Sequence, residues 1–127
     1  MKHIENGRFI LGTENLKRID GESGARVIKA LNDIAPDLGN YIIEFAFGDI
    51  YSRKALSVYE REMITLASLL TLGGCEKQLK LHINGALNVG FNKEKIIETF
   101  IQCLPYAGFP RVLNAVFTAK ELFESKS

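Results

Sequence analysis

The sequence predicts an all-α fold, a single-domain bundle of about six helices. Strand patterns are almost absent, whereas apolar residues recur at three- and four-residue spacing through most of the chain. Glycines and prolines divide this pattern into segments of helical length. The chain has 127 residues, the length of one domain, and contains neither an internal repeat nor a linker.

The first two predicted helices precede a connector at residues 49 to 56. The first covers residues 22 to 34, and Pro36 opens the second, since proline is favoured in the first turn. Gly48 and Asp49 end the second helix. Their apolar stripes consist of Val27, Ile28, Leu31 and Ile34, and of Leu38, Tyr41, Ile42, Phe45 and Ala46.

The third predicted helix is apolar on nearly every side. Ser57 to Glu60 fits the capping-box pattern of a helix start, and Gly73-Gly74 ends the helix. Between them only Thr65, Ser68 and Thr71 interrupt the apolar residues Met63, Ile64, Leu66, Ala67, Leu69, Leu70 and Leu72. Such a helix is expected at the centre, packed on several sides.

The last three predicted helices are separated by turn signals. The fourth runs from about Cys75 to Val89 and ends at Gly90, a favourable left-handed cap. Asn92 caps the fifth. Residues 106 to 110, Tyr-Ala-Gly-Phe-Pro, are predicted as a turn, with Pro110 at the start of the sixth helix.

Composition excludes several classes of protein. Sixteen basic and fifteen acidic residues leave a formal net charge of +1, without the basic stripe of a nucleic-acid binder. Residues 1 to 7 lack the apolar core of a signal peptide, and no apolar run approaches the ~20 residues that span a bilayer. We therefore expect a cytoplasmic protein that binds neither nucleic acid nor membrane. Two cysteines at this spacing match neither a disulfide framework nor a zinc motif, so no metal is expected.

Cys75 and His82 lie seven residues apart in the predicted fourth helix. This spacing is close to two turns, so both side chains are expected on one face, together with Gln78. An imidazole donates or accepts protons near neutral pH, and a thiol near a helix N-terminus tends towards the reactive thiolate. The face is a candidate for proton transfer or reaction with peroxide. Taken alone, a single histidine on a mostly apolar helix is more often a packing residue.

Three stretches in this order resemble the carboxymuconolactone decarboxylase family, within the alkylhydroperoxidase-D-like group. They are Tyr59 to Ala67, Leu79 to Gly90 and Tyr106 to Pro110, and the resemblance runs from about residue 38 to 123. It implies an all-helical fold that assembles into homo-oligomers, commonly trimers or hexamers, with active sites near subunit interfaces. A third helix too apolar for one short chain to cover agrees with such an assembly.

The family divides by chemistry. Peroxidase-type members carry a Cys-x-x-Cys pair, then three residues and a histidine, with a glutamate in the preceding helix. Aligning on His82 places Cys75 at the first cysteine, but Gln78 occupies the second. Glu62 lies thirteen residues before Cys75, one more than in that branch. Decarboxylase-type members need no cysteine pair and resemble this chain better, which implies a cofactor-free loss of CO₂ from 4-carboxymuconolactone or a related small oxo acid.

The resemblance makes His82, Glu62 and Cys75 the catalytic candidates. His82 would protonate the dienolate left by decarboxylation or hold the carboxylate. Glu62, if it faces inward, needs a partner such as His82 or Arg61, and is otherwise an exposed first-turn glutamate favoured by the helix dipole. The alternative for Cys75 is a small apolar residue after a glycine break.

Three further residues are candidates for substrate binding. Arg61 and Arg111 each offer a bidentate guanidinium for a substrate carboxylate. Tyr106 is a candidate wall of the pocket, although an aromatic residue at a helix end is at least as often packing. Cys103, on the stripe of Phe100, is expected in the core.

Three functions stay open from the sequence. The leading one is a decarboxylase whose ligand is a small carboxylate. The second is a thiol peroxidase in which Cys75 attacks peroxide and Cys103 or an external thiol resolves it. The third is a non-catalytic oligomeric binding module, since fold alone does not settle function.

Overall fold

The computed structural model describes residues 6–126. Within that range it contains six α-helices, one π-helical segment and no β-strand, which confirms the predicted all-α class. The helices are α1 (Gly7–Leu31), α2 (Pro36–Tyr41), α3 (Val58–Leu72), α4 (Glu76–Asn88), α5 (Lys93–Ala107) and α6 (Phe109–Ser125), and the π-helical segment, Ile42–Ile50, directly follows α2. The chain forms two compact units, the first ending at Ser57 and the second beginning at Val58. The single domain stays a prediction.

α1 begins well before the predicted start at residue 22. Asn6 caps it, because the Asn6 side chain accepts a hydrogen bond from the backbone N–H of Phe9 at 2.9 Å. The buried positions of its first half are Gly12, Asn15, Leu16, Ile19 and Asp20. Only two of these five are large and apolar, so hydrophobic periodicity gave no signal there. The helix is kinked at Gly21, whose φ of 57° lies in the left-handed region.

The π-helical segment packs closely on α1. A Cβ atom added to Gly12 would collide with the backbone carbonyl of Ile43, so only glycine permits this approach. Asn15 is buried, and its Nδ2 donates to the carbonyl oxygen of Phe47 at 2.7 Å and to Ser52 Oγ at 2.8 Å. A backbone contact and a buried amide therefore hold the first unit together.

The second predicted helix is right in position but not in burial. Residues 36–50 are helical, yet Tyr41 is 65% exposed and Phe45 59% exposed. Ile34, placed at the end of the first predicted stripe, lies beyond α1 and is 81% exposed. The apolar stripes of this unit are thus largely open to solvent in the described chain.

The second unit is a four-helix core formed by α3 to α6. Its buried apolar cluster consists of Leu66, Leu70, Leu79, Ile83, Ala86, Phe91, Ile96, Phe100, Val112, Ala115, Ala119 and Leu122. α3 packs against α4, α5 and α6, which confirms the prediction of a helix packed on several sides. Its outer face stays open in the described chain, where Ile64 and Leu72 are 52% and 70% exposed.

Most predicted breaks between these helices are confirmed. Gly73 and Gly74 have φ of 71° and 72° after α3, and Gly90 has φ of 115° after α4. Asn92 caps α5 by accepting a hydrogen bond from the N–H of Lys95 at 2.7 Å. α4 itself begins at Glu76, with Cys75 as its cap residue.

The predicted turn over residues 106 to 110 is too long. Tyr106 still belongs to α5, and Gly108 alone separates α5 from α6. Its φ of 91° lets the chain change direction in a single residue. Pro110 lies in the first turn of α6, as predicted.

No helix within residues 6–126 is both long and apolar enough to cross a bilayer. The described residues do not include residues 1–5 and Ser127. The expected lack of a signal peptide depends largely on residues 1–5.

Candidate active site

Glu62 and His82 come together between α3 and α4. Glu62 occupies the same buried stripe of α3 as Leu66 and Leu70, one and two turns further on, and is 0% exposed. His82 precedes the fully buried Ile83 and therefore lies at the edge of the buried face of α4. Nδ1 of His82 is 3.2 Å from Oε2 of Glu62. Glu62 therefore faces inward and is not an exposed first-turn glutamate.

This contact involves one of the two ring nitrogens of His82. In the tautomer with a proton on Nδ1, the imidazole donates this hydrogen bond to the Glu62 carboxyl group, and Nε2 is the ring nitrogen outside the contact. The side chain of His82 is 17% exposed, whereas that of Glu62 is 0% exposed. The imidazole edge is therefore accessible from outside, and the carboxyl group is not.

The stacked rings of Tyr59 and Phe91 help to position this pair. Their centroids are 4.1 Å apart and their planes meet at 22°. Tyr59 lies one turn before Glu62 on α3, and Phe91 belongs to the buried core just after α4. The stack thus anchors the start of α3 against the segment that follows α4.

Cys75 lies at the N-terminus of α4, as the sequence predicts. It caps the helix with φ of −126° and ψ of 44°, and its carbonyl accepts a hydrogen bond from the N–H of Leu79 at 2.9 Å. Its Sγ donates to the backbone carbonyl of Leu69 at 3.1 Å. Cys75 lines a crevice whose described lining includes neither His82 nor Glu62.

Arg111 lies in the same crevice as Cys75. The guanidinium packs over Gly73, where a Cβ atom would collide with it. The other polar groups of the crevice are Glu76 and Asn114. Its volume of about 10 Å³ is no more than one water molecule needs, so a lactone does not fit in this form of the chain.

Neither Arg61 nor Tyr106 is among the described residues that line the crevice of Cys75 and Arg111. Arg61 precedes Glu62 on α3, is half-buried, and its backbone carbonyl accepts a hydrogen bond from Thr65 Oγ1 at 2.8 Å. Tyr106, near the end of α5, is 85% exposed and forms no wall within the described chain.

Cys103 is half-buried against the core rather than fully within it. Its Sγ donates to the carbonyl of Thr99 at 3.4 Å. Burial raises the pKa of the Cys103 thiol above its ordinary value. This environment favours the protonated thiol, which is a poor nucleophile.

Two polar neighbours of Arg111 were not singled out from the sequence. Asn114 lies three residues after Arg111, hence on the same face of α6, and Glu76 directly follows Cys75. The i, i+3 relation to a candidate arginine was an available signal. In residues 6–126, no three side chains of histidine, cysteine, aspartate or glutamate are grouped so that they could hold a metal ion.

The chain is similar in sequence to several known proteins. The chain is 35% identical to the 4-carboxymuconolactone decarboxylase of Acinetobacter baylyi, over 92% of this chain and 87% of that protein. It is 26% identical to an uncharacterised 15.0 kDa protein of Paracoccus denitrificans, over 76% of this chain and 72% of that one. It is 31% identical to Peroxisomal protein 2 of Saccharomyces cerevisiae, over 67% of this chain and 30% of that protein.

The sequence model of the carboxymuconolactone decarboxylase family matches residues 36–121. That match includes Glu62, Cys75, His82, Tyr106 and Arg111, and the similarity to the Acinetobacter protein extends over nearly the whole chain. The chain belongs to the carboxymuconolactone decarboxylase family.

Proposed function

We propose that this chain is a cofactor-free decarboxylase of a small carboxylated unsaturated lactone, such as 4-carboxymuconolactone or a related oxo acid. The observation that carries the proposal is the hydrogen bond between fully buried Glu62 and partly exposed His82. The similarity to the Acinetobacter decarboxylase supports the choice of substrate class.

In the proposed reaction the carbon–carbon bond to the substrate carboxylate breaks and CO₂ leaves. The electron pair of that bond moves onto the lactone carbonyl as a dienolate. The imidazolium of His82 then gives the Nε2 proton to the dienolate carbon, and solvent returns a proton to His82. No electron acceptor is needed, since the electron pair stays in the product.

Glu62 acts as a positioning residue and as a counter-charge. Its carboxylate holds Nδ1–H, which orients the ring, and it stabilises the imidazolium that donates the proton. Because Glu62 is 0% exposed, protons enter the pair through His82. This arrangement is a proton-donating imidazole with a buried counter-charge on one side and substrate on the other.

The substrate carboxylate is assigned to an arginine, Arg61 or Arg111, and Tyr106 to the wall of the assembled pocket. We further propose a homo-oligomer, a trimer or hexamer, whose neighbouring copy completes this pocket. Large apolar side chains exposed on the second unit support it, among them Leu72 at 70%, Phe109 at 68% and Phe117 at 60%.

The experiment is direct measurement of CO₂ release from 4-carboxymuconolactone. Wild type is expected to turn over, and His82→Ala to lower kcat by about 10²- to 10⁴-fold, the usual loss for a general acid. Glu98→Gln, an exposed glutamate on α5, serves as the matched control and is expected to leave kcat unchanged. Wild-type activity that survives His82→Ala would contradict the assignment.

Variants of the same chain distinguish the decarboxylase from the thiol peroxidase and from the non-catalytic binding module. Cys75→Ser is expected to keep the decarboxylase activity, whereas a thiol peroxidase would lose thiol-dependent consumption of an alkyl hydroperoxide. A non-catalytic binding module would turn over neither substrate, and its His82→Ala variant would bind the carboxylate as well as wild type.

A further inference from the structure

The first unit contains a groove of about 630 Å³, none of whose lining residues belongs to the candidate active site. It runs along both halves of the kinked helix α1 and reaches Ile43 of the π-helical segment. The lining is mostly apolar, with walls formed by Phe9, Leu16, Ala25, Ile28 and Ile43. Its volume falls within the roughly 300–1,000 Å³ of sites that bind small molecules.

The charged groups at this groove are unevenly balanced. Lys17, Lys29 and Glu22 lie along it. Glu22 is 3.9 Å from Arg26, so its charge is already opposed by a neighbouring cation. Neither lysine forms an ion pair with a carboxylate of residues 6–126. An apolar groove bordered by two such ammonium groups is complementary to a ligand with an apolar body and a negative end.

We propose that this groove binds a free, single-chain amphipathic carboxylic acid. The alkyl chain lies along the apolar walls, where its removal from water is favourable in proportion to its area. The carboxylate lies at Lys17 or Lys29. The proposal is independent of Glu62 and His82 and does not rest on the decarboxylation.

The size of the groove favours a small molecule over a protein segment. Three turns of α-helix, about 16 Å long and 10 Å across, occupy roughly 1,300 Å³, about twice the groove. A single alkyl chain of about ten carbons, in contrast, fits within this volume. The ligand class follows from the volume and the charge together.

The test uses decanoate below its micelle concentration and the full chain, with binding followed by titration calorimetry. Wild type is expected to bind saturably, one decanoate per chain, and decyltrimethylammonium, with a ten-carbon chain but the opposite charge, to bind at least about tenfold more weakly. At least one of the variants Lys17→Gln and Lys29→Gln is expected to weaken binding about 2- to 5-fold, as for an exposed ion pair. Lys54→Gln, an exposed lysine of the connector, is the matched control and leaves binding unchanged.

Ala25→Trp tests the location of the site. Ala25 is exposed on α1 and lines the groove, so the larger ring fills the groove without disturbing the core. The variant is expected to keep its circular dichroism spectrum and to lose decanoate binding.

Several results would overturn the proposal. Absence of saturable binding to wild type removes it, as does an affinity for decanoate that is as high in both lysine variants as in wild type. If wild type binds no decanoate and Ala25→Trp changes the sedimentation coefficient, the groove is covered by a second copy of the chain. Association with anionic phospholipid vesicles without binding of dissolved decanoate would show a lipid surface as the occupant instead.

Discussion

Oε2 of Glu62 lies 3.2 Å from Nδ1 of His82, although the two residues are 20 positions apart in the sequence. The carboxylate is fully buried on α3, while the imidazole at the edge of α4 remains 17% exposed. Of the two groups, only the imidazole is accessible from outside. The buried carboxyl group has a hydrogen-bond partner that can itself become positive.

Replacing Glu62 is expected to lower the free energy of unfolding, and to lower it less when the new side chain has the same volume. Glu62→Ala removes the hydrogen-bond partner of His82 Nδ1 and leaves a cavity in the buried stripe of α3. Its expected cost is about 2–4 kcal/mol of unfolding free energy. Glu62→Gln keeps the volume and a carbonyl acceptor, so its expected cost is about 1 kcal/mol.

Urea unfolding at one fixed protein concentration, followed by circular dichroism, checks this order. Glu98→Gln provides a surface control, with an expected change within about 0.5 kcal/mol. Equal midpoints for the alanine and glutamine variants would show that Glu62 does not contribute through shape and hydrogen bonding.

Gly73 and Gly74 form a matched pair for measuring the contact with Arg111. Both have left-handed φ, 71° and 72°, so alanine at either site incurs a similar backbone cost of about 1–2 kcal/mol. A Cβ atom on Gly73 also collides with the Arg111 guanidinium, whereas one on Gly74 meets nothing within 4 Å. Gly73→Ala is therefore expected to be slightly more destabilising than Gly74→Ala, because the exposed and flexible Arg111 side chain has to shift.

The difference between these two variants is expected to vanish in an Arg111→Ala background. Thermal unfolding of the four variants and their parents gives the coupling energy as a double-mutant cycle. If Gly73→Ala remained more destabilising than Gly74→Ala without Arg111, the contact with Arg111 would not be the cause.

Gly12 is expected to tolerate no side chain. Its Cβ position is occupied by the carbonyl of Ile43, and that backbone atom belongs to the closely packed π-helical segment. Gly12→Ala is therefore predicted to cost at least about 2 kcal/mol, because α1 must move away. Gly7→Ala, at a site with nothing within 4 Å, is predicted to be neutral or slightly stabilising. Urea denaturation would report similar midpoints for both variants if α1 and the π-helical segment were not in close contact.

The thiol of Cys103 is expected to react with iodoacetamide only at higher pH than a free cysteine. Burial raises its pKa above the ordinary value of 9.0, so the folded chain holds this proton more tightly than the unfolded one. The resulting contribution to stability is fully present below about pH 9 and is lost as pH rises through the raised pKa.

The measurement is the alkylation rate between pH 7 and 11 in a Cys75→Ser chain, where Cys103 is the sole thiol. The same chain unfolded in urea is the control and should show the ordinary pH dependence. Superimposable curves for the folded and unfolded chains would refute the effect of burial.

The sequence by itself determined the helical class, the position of most breaks and the family. Gly73, Gly74, Gly90 and Asn92 act through their own backbone or side chain within a few residues, so their effects are readable locally. The first half of α1 was missed for the opposite reason. Its buried face includes Gly12 and Asn15. They stabilise the fold through contacts with Ile43, Phe47 and Ser52, which lie farther along the chain.

Only the tertiary structure decided which candidate groups meet. Cys75, which the sequence grouped with His82, donates a hydrogen bond to Leu69 and lines a crevice together with Arg111, a contact that no local pattern indicated. The partner of Glu62 depended on how α3 packs against α4. Distances between side chains on different helices are set by core packing, and no local pattern contains that information.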